Sequence, residues 1–510
     1  MPFTVTTTVR TQLGLIEGLV ENGMYVWRGI RFGKPPVGPL RFRNPVPVDP
    51  WPGVLRAHSF EAAPAQPKPP FMPEWLPVPP ISKPPPREDC LFLNIWNASN
   101  PETSPLKPVM VFIYGGAFVI GCGSQDLYHG EHLATNGDVV VVTLNYRLGA
   151  LGFLFLGDTA EGFDSNLGLK DQVLALQWVQ ANIRAFGGDP DNVTIFGQSA
   201  GGISVTTLLA VPAARGLFHK AIAQSPAPTA VRQSRSDAVQ ASRDFVREHL
   251  GLEPEQYAEL REIPAEKLAA LSVPKNHKFG FLPVVDGDWL PHHPLDAIQA
   301  GFAKDIPLLI GYNHSEGEFF QLQRKPIIPI HKDDLDAFFS SQIHMQESEL
   351  LLFTEQLTQD YIERFPAKTA HVRLGGDLMF TIPTIQFASA QAQHAAVFMY
   401  RCDHRSKLVE LLGGNATHTT ELPLVFGTLR SGLGKMLFSM NWFDSRLAEL
   451  SLRMQRAWTS FARSGNPCVE GWVPYTTTTR ASYIWDQTER VENDADAEIR
   501  QAWGDFRPEL

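Results

Sequence analysis

The stretch "VTIFGQSAGG", residues 193–202, decides the fold. Its first half, Val193-Thr194-Ile195, is β-branched and reads as a strand. Its second half crowds three glycines and an alanine around Ser199. A serine thrust out of a sharp strand-to-helix turn needs small neighbours, because backbone and helix pass each other closely there. Gly197-Gln198-Ser199-Ala200-Gly201 is G-x-S-x-G, with a strand predicted before it and a helix after it. The pattern places a nucleophilic serine at the edge of a sheet.

Working outward, "VMVFIY" (109–114), "VVVVTLNY" (139–146) and "NVTIF" (192–196) alternate with helical patterns. That order is the signature of a parallel sheet covered by helices. Before the last of these strands, Leu169, Val173, Leu176, Val179, Ile183 and Phe186 recur at spacings of three and four, predicting an amphipathic helix that Gly187-Gly188 stop. Further strands are expected at 306–311 and 395–401. A closing helix is expected over about 447–463, ended by "SGNP". With no clean linker and no repeat, residues 1–510 read as one α/β domain with insertions, a helical one spanning about 320–390.

The chain has 510 residues, a formal charge of −10, 44% hydrophobic and 19% charged residues. The composition is globular, and the negative charge without any basic run argues against nucleic acid as partner. No apolar stretch approaches the ~18 residues of a membrane span. The N-terminus alternates like a strand rather than reading as a leader, and Cys90, Cys122, Cys402 and Cys468 show no metal or CxxC spacing. A cytoplasmic protein with reduced thiols is expected, and a monomer is favoured. Residues 64–86 hold eleven prolines and are expected to form a rigid, extended surface loop. Phe71 and Trp75 within it, with Phe118 elsewhere, are candidate walls of a substrate pocket whose mouth the loop approaches.

A serine needs a base, and the base a carboxylate to orient it. His418 lies in the polar loop "NATHTTELPLVFG" (415–427) after a predicted strand, and Glu316 follows the strand of "IPLLIGYNHSEGEFF" (306–320). Glu318 and Asp286 are alternative acids. The order Ser199, Glu316, His418 is the one expected of an α/β-hydrolase triad. The Ala200 amide at a helix N-terminus, and those of the loop Gly115-Gly116-Ala117, are candidate donors to a developing oxyanion, each contributing ~3 kcal/mol in the transition state. A metal held by His418 and Glu421, spaced HxxE, lacks further local ligands. No metal and no cofactor are expected.

These stretches resemble the type-B carboxylesterase family, which includes the cholinesterases, and most closely its bacterial p-nitrobenzyl esterase-like members. The likeness runs along nearly the whole chain. It is carried by "GLIEG" (14–18), "RGIRFGKPPVGPLRF" (28–42), "EDCLFLNIW" (88–96), "YGGAF" (114–118), "LNYRLGALGFL" (144–154), "NLGLKDQ" (166–172), "FGGDPDNVTIFGQSAGG" (186–202) and "ARSGNP" (462–467).

The resemblance implies Ser199 as nucleophile, His418 as general base and acid, and Glu316 as its orienting carboxylate. Gly116, Ala117 and Ala200 are implied as oxyanion donors, with Gly115 and Gln198 in support. Ser225 matches a serine that supports the acid, and Glu88 and Arg147 match a buried ion pair or network beneath the site. One departure concerns specificity. Gln198 stands where the family has glutamate, and loss of a carboxylate ~4–6 Å from a bound cation forfeits roughly 3–4 kcal/mol at an effective dielectric near 20.

The expected activity is hydrolysis of uncharged, moderately hydrophobic small-molecule esters, aryl and short-to-medium acyl, through an acyl-enzyme. The alternatives are a catalytically silent binding protein of the same fold, or the same triad directed to amides, carbamates or long-chain lipids. Asn97, Asn192, Asn313 and Asn415 begin formal glycosylation sequons that read as chance matches.

Overall fold

The β-branched runs of the chain meet edge to edge in one mixed sheet. In the computed structural model, which describes residues 5–68, 84–159, 161–232, 234–273, 281–323, 325–342, 346–441 and 444–508, this sheet has thirteen strands among the described residues. Its parallel centre runs in the order Val140–Leu144, Lys107–Ile113, Gly188–Gln198, Lys220–Gln224, Leu308–Asn313, Val397–Cys402, Ala481–Trp485. Because helices cover both faces, most of these strands are buried at every position, which is why they read as unbroken apolar runs.

The sheet is not parallel throughout. Val5–Arg10, Leu15–Glu21, Met24–Arg31 and Phe92–Asn97 add antiparallel strands on one side, and Arg490–Asn493 adds one on the other. Short connections make hairpins of Val5–Arg10 with Leu15–Glu21, of Leu15–Glu21 with Met24–Arg31, and of Ala481–Trp485 with Arg490–Asn493, whereas the centre needs helical crossovers.

The helix expected before Gly187 spans Leu167–Asn182 and continues as a 3₁₀ turn, Ile183–Phe186, which Gly187 ends at a φ of 82°. It is not amphipathic in the ordinary sense, since Asp171 and Gln172 are buried along with the apolar face. Asp171 accepts two bonds from the Arg147 guanidinium, at 2.8 and 2.7 Å, and Gln172 donates to Ser204 Oγ at 3.0 Å. These partners account for the burial of the two polar side chains. Glu88 and Arg147, expected in a buried ion pair or network, each have a charged partner. Arg147 pairs with Asp171 and Glu88 with Arg41 at 2.5 Å, so Glu88 and Arg147 belong to two separate ion pairs.

The closing helix spans Ser445–Ser464 and is capped by Gly465 at a φ of 77°. Between 320 and 391, helices Lys332–Ser340, Glu347–Arg364, Ala370–Gly376 and Ile382–Gln391 supply the helical insertion. A π-helical turn, Asp377–Thr381, interrupts the last two. The ends of the proline-rich segment are tied together by a parallel pair, Ala63–Pro64 with Pro86–Arg87. Phe71 and Trp75 lie outside the described residues. No helix among the described residues is long and apolar enough to cross a membrane.

Candidate active site

The strand Gly188–Gln198 ends at Ser199, and the helix Ala200–Leu208 begins immediately after it. Ser199 sits at the turn with φ 57° and ψ −125°, a conformation costly for a residue with a side chain. Close packing holds it there. A Cβ on Gly201 would lie 1.9 Å from the Ile113 carbonyl oxygen, and one on Gly197 would lie 2.5 Å from that of Gly201. Only glycine allows this approach. Ser199 remains half-buried while its neighbours are fully buried.

The loop after Lys107–Ile113 runs against the same turn. A Cβ on Gly115 would come within 2.6 Å of the Gln198 carbonyl oxygen and 2.9 Å of Ser199 Cβ. Gly116, Ala117 and Phe118 take positive φ angles of 120°, 54° and 60°, turning the chain sharply. Among the described residues the amides of Gly116, Ala117 and Ala200 have no protein partner. Such amides are available to an anionic oxygen.

Glu316 follows Leu308–Asn313 and is 2% exposed. Its Oε1 accepts from Ser225 Oγ at 2.6 Å, the Asn313 backbone N–H at 2.6 Å and Asn313 Nδ2 at 3.3 Å. Its Oε2 is left for His418 Nδ1 at 2.6 Å. A carboxylate accepts, so Nδ1 carries the proton and Nε2 presents a lone pair. The Gln198 amide donates to that Nε2 at 3.2 Å. The imidazole packs on Phe380, Phe320 and Phe319, with ring centroids 4.5, 5.2 and 5.9 Å away.

Glu316 is thus in direct contact with both His418 and Ser225, and His418 is brought against the residue preceding Ser199. Among the described residues no hydrogen bond joins the Ser199 hydroxyl to His418. Neither alternative acid reaches the imidazole. Asp286 accepts from Asn166 Nδ2 and from the Asp288 and Leu290 amides, and Glu318 binds Asn415.

Two residues escaped the sequence reading. Asn313 bridges the Glu316 carboxylate to that of Glu421, donating to Glu421 Oε2 at 2.8 Å. Gln224 donates to the other oxygen, Oε1, at 3.2 Å. Glu421 had a signal, its position three residues after His418, but that spacing was weighed only as a metal pattern. No group of three or more His, Cys, Asp or Glu among the described residues could hold a metal ion. Burial first, and then the charge of Glu316, push the Glu421 carboxyl up to about 7.

A narrow recess lies above Ser199. Ala117, Phe118, Ala200 and Ile203 wall one part of it. Phe320, Ile327, Ile328, Met379 and Phe380 wall another, and Ala227, Ala230 and Leu282 complete the lining. Met379 and Phe380 arrive on the π-helical turn, a feature common at functional sites. Apart from Ser199, every described lining residue is apolar.

Glu421 makes the stability of this region pH-dependent. Its folded-state value lies above its ordinary value of 4.5, so the folded protein holds this proton more tightly than the unfolded chain. The contribution is fully present below pH 4.5 and is lost as pH rises toward 7. Glu421→Gln is expected to remove this loss, worth up to ~3 kcal/mol. Unfolding midpoints at pH 5 and pH 8 check it: the wild type should fall relative to the variant, and parallel profiles would contradict it.

The chain is similar over nearly its whole length to known proteins. The model of the "Carboxylesterase family" matches residues 5–503. The chain is 40% identical over 504 residues to the para-nitrobenzyl esterase of Bacillus subtilis, covering 97% of each protein. It is 34% identical over 542 residues to the acetylcholinesterase of Bungarus fasciatus, covering 98% of this chain and 86% of that one. Among solved structures, a thermophilic PNB esterase superposes with a TM-score of 0.85 at 38% identity, over 98% of this chain and all of the other. The extent of the family match, together with identity sustained over nearly the full length, means that this chain belongs to the carboxylesterase family.

Proposed function

We propose that the protein is a serine carboxylesterase in which Ser199 is the nucleophile, His418 the general base and acid, and Glu316 the carboxylate that orients it. The observation that carries this reading is the buried Glu316–His418 pair, 2.6 Å apart, set against the strained turn of Ser199. With Nδ1–H committed to Glu316, the imidazole has one free lone pair, at Nε2. A serine hydroxyl that takes the place of the Gln198 amide there is deprotonated as it attacks the ester carbonyl. The carbonyl oxygen gains charge, and the Gly116, Ala117 and Ala200 amides stabilise it. His418 then protonates the leaving alcohol. Water repeats the sequence in reverse and releases the acid.

The substrate class follows from the walls. An apolar recess without a charged lining residue favours uncharged esters with aryl or short-to-medium acyl groups. Gln198 supports this, because a neutral amide offers a cation nothing that a carboxylate would. The name of one relative, a para-nitrobenzyl esterase, agrees with this class. A cytoplasmic setting is supported by four free cysteines, three of them buried.

Ser199→Ala is expected to lower p-nitrophenyl butyrate turnover by at least about a thousandfold while the protein stays folded. Turnover within tenfold of wild type would overturn the mechanism. Gln198→Glu is expected to improve kcat/KM for a thiocholine ester relative to p-nitrophenyl butyrate by about tenfold or more, by restoring a charge near a bound cation. An unchanged ratio would show that this position does not set charge preference.

A further inference from the structure

His418 lies on a loop with little stiffness of its own. Gly413-Gly414 precede it, with Gly413 at a φ of 73°, and Thr419 follows at a φ of 75°. Two glycines confer freedom, and a threonine in the left-handed region persists only when its surroundings hold it. The imidazole must nevertheless meet Glu316 on a different loop, 102 residues away in sequence.

The two loops are stitched together in order. The Ser315 amide donates to the Ala416 carbonyl at 2.8 Å, the Phe319 amide to Thr417 Oγ1 at 2.8 Å, and Thr417 Oγ1 to the Glu316 carbonyl at 3.2 Å. The entrance to the loop is held differently, by a charge. Glu318 Oε2 accepts the Asn415 backbone N–H and its Oε1 accepts Asn415 Nδ2, both at 2.7 Å. Charge-assisted, two-pronged contacts are both stronger and more directional than neutral single ones. Grasping backbone and side chain together fixes the orientation of residue 415 just where the diglycine would let it swing.

We propose that Glu318 and Asn415 form a clamp that positions His418. The inference rests on the roles given above to Ser199, Glu316 and His418, and it adds positioning residues for them. Neither clamp residue touches the reacting atoms. Their effect is on how often Nε2 stands where the Ser199 proton can reach it, and so on kcat rather than on ester binding.

Reciprocal substitution tests the clamp. Asn415→Asp sets two carboxylates against each other. Glu318→Gln added to it restores a matched pair, with the Gln amide donating to the new carboxylate and its oxygen accepting the residue 415 N–H. Turnover of p-nitrophenyl butyrate is measured per Ser199 titrated with an organophosphonate, so that misfolded protein does not count. N415D is expected to lower kcat by about ten- to a hundredfold with KM changed less than about threefold, and the double variant to recover kcat to within about fivefold of wild type. Glu318→Ala, which removes both acceptors, gives an independent arm and is expected to lower kcat by about tenfold. The clamp is overturned if N415D and E318A turn over within twofold of wild type, if only KM moves, or if the double variant is no better than N415D. Activity retained by S199A would instead overturn the reading on which the clamp rests.

Discussion

The carboxylate of Glu316 is the constraint from which the rest of the site follows. One of its oxygens is saturated by Ser225 and Asn313, and the other is committed to His418 Nδ1. A buried carboxylate with every direction occupied cannot turn. The imidazole tautomer is thereby fixed, and Nε2 is left as the acceptor at the Ser199 turn. The donors come from two adjacent strand ends, Lys220–Gln224 and Leu308–Asn313, so the parallel register of the sheet sets the geometry of the site. Glu421 lies behind this layer. Its proximity to Glu316 is tolerable because Asn313 and Gln224 donate to it and because it keeps a proton below about pH 7.

The other half of the site is backbone. The glycines around Ser199 are places where chain passes chain at distances no Cβ permits, and these contacts hold the serine in its costly conformation. The same crowding brings the Gly115–Phe118 loop over the turn and leaves its amides unpaired. In the proposed mechanism these amides would need no rearrangement as charge develops. The recess is walled in part by this loop and turn, through Ala117, Phe118 and Ala200, and in part by the helical insertion, through Phe320, Ile327, Ile328, Met379 and Phe380.

What was legible in the sequence was local. The strand-turn-helix around Ser199, the stops at Gly187 and Gly465, and the strands ending near Glu316 and His418 each depend on residues close together in the chain. Partners across the chain were less legible. Arg147 finds Asp171 and Glu88 finds Arg41, pairings that no spacing announces. The helix Leu167–Asn182 reads as amphipathic from the spacing of its apolar residues, and only the partners of Asp171 and Gln172 account for the burial of these polar side chains. Gln198 was legible as a missing charge but not as a donor to His418. Met379 and Phe380 line the recess because a π-helical turn aims them there, a detail beneath the resolution of periodicity.

The central claim is that Glu316 and His418 activate Ser199. Reaction with an organophosphonate, mapped by mass spectrometry, tests it most directly. One phosphonyl group on Ser199 is expected in the wild type, formed at least about a hundredfold more slowly after His418→Ala. A label on another residue, or labelling of Ser199 at an unchanged rate without the imidazole, would contradict the account.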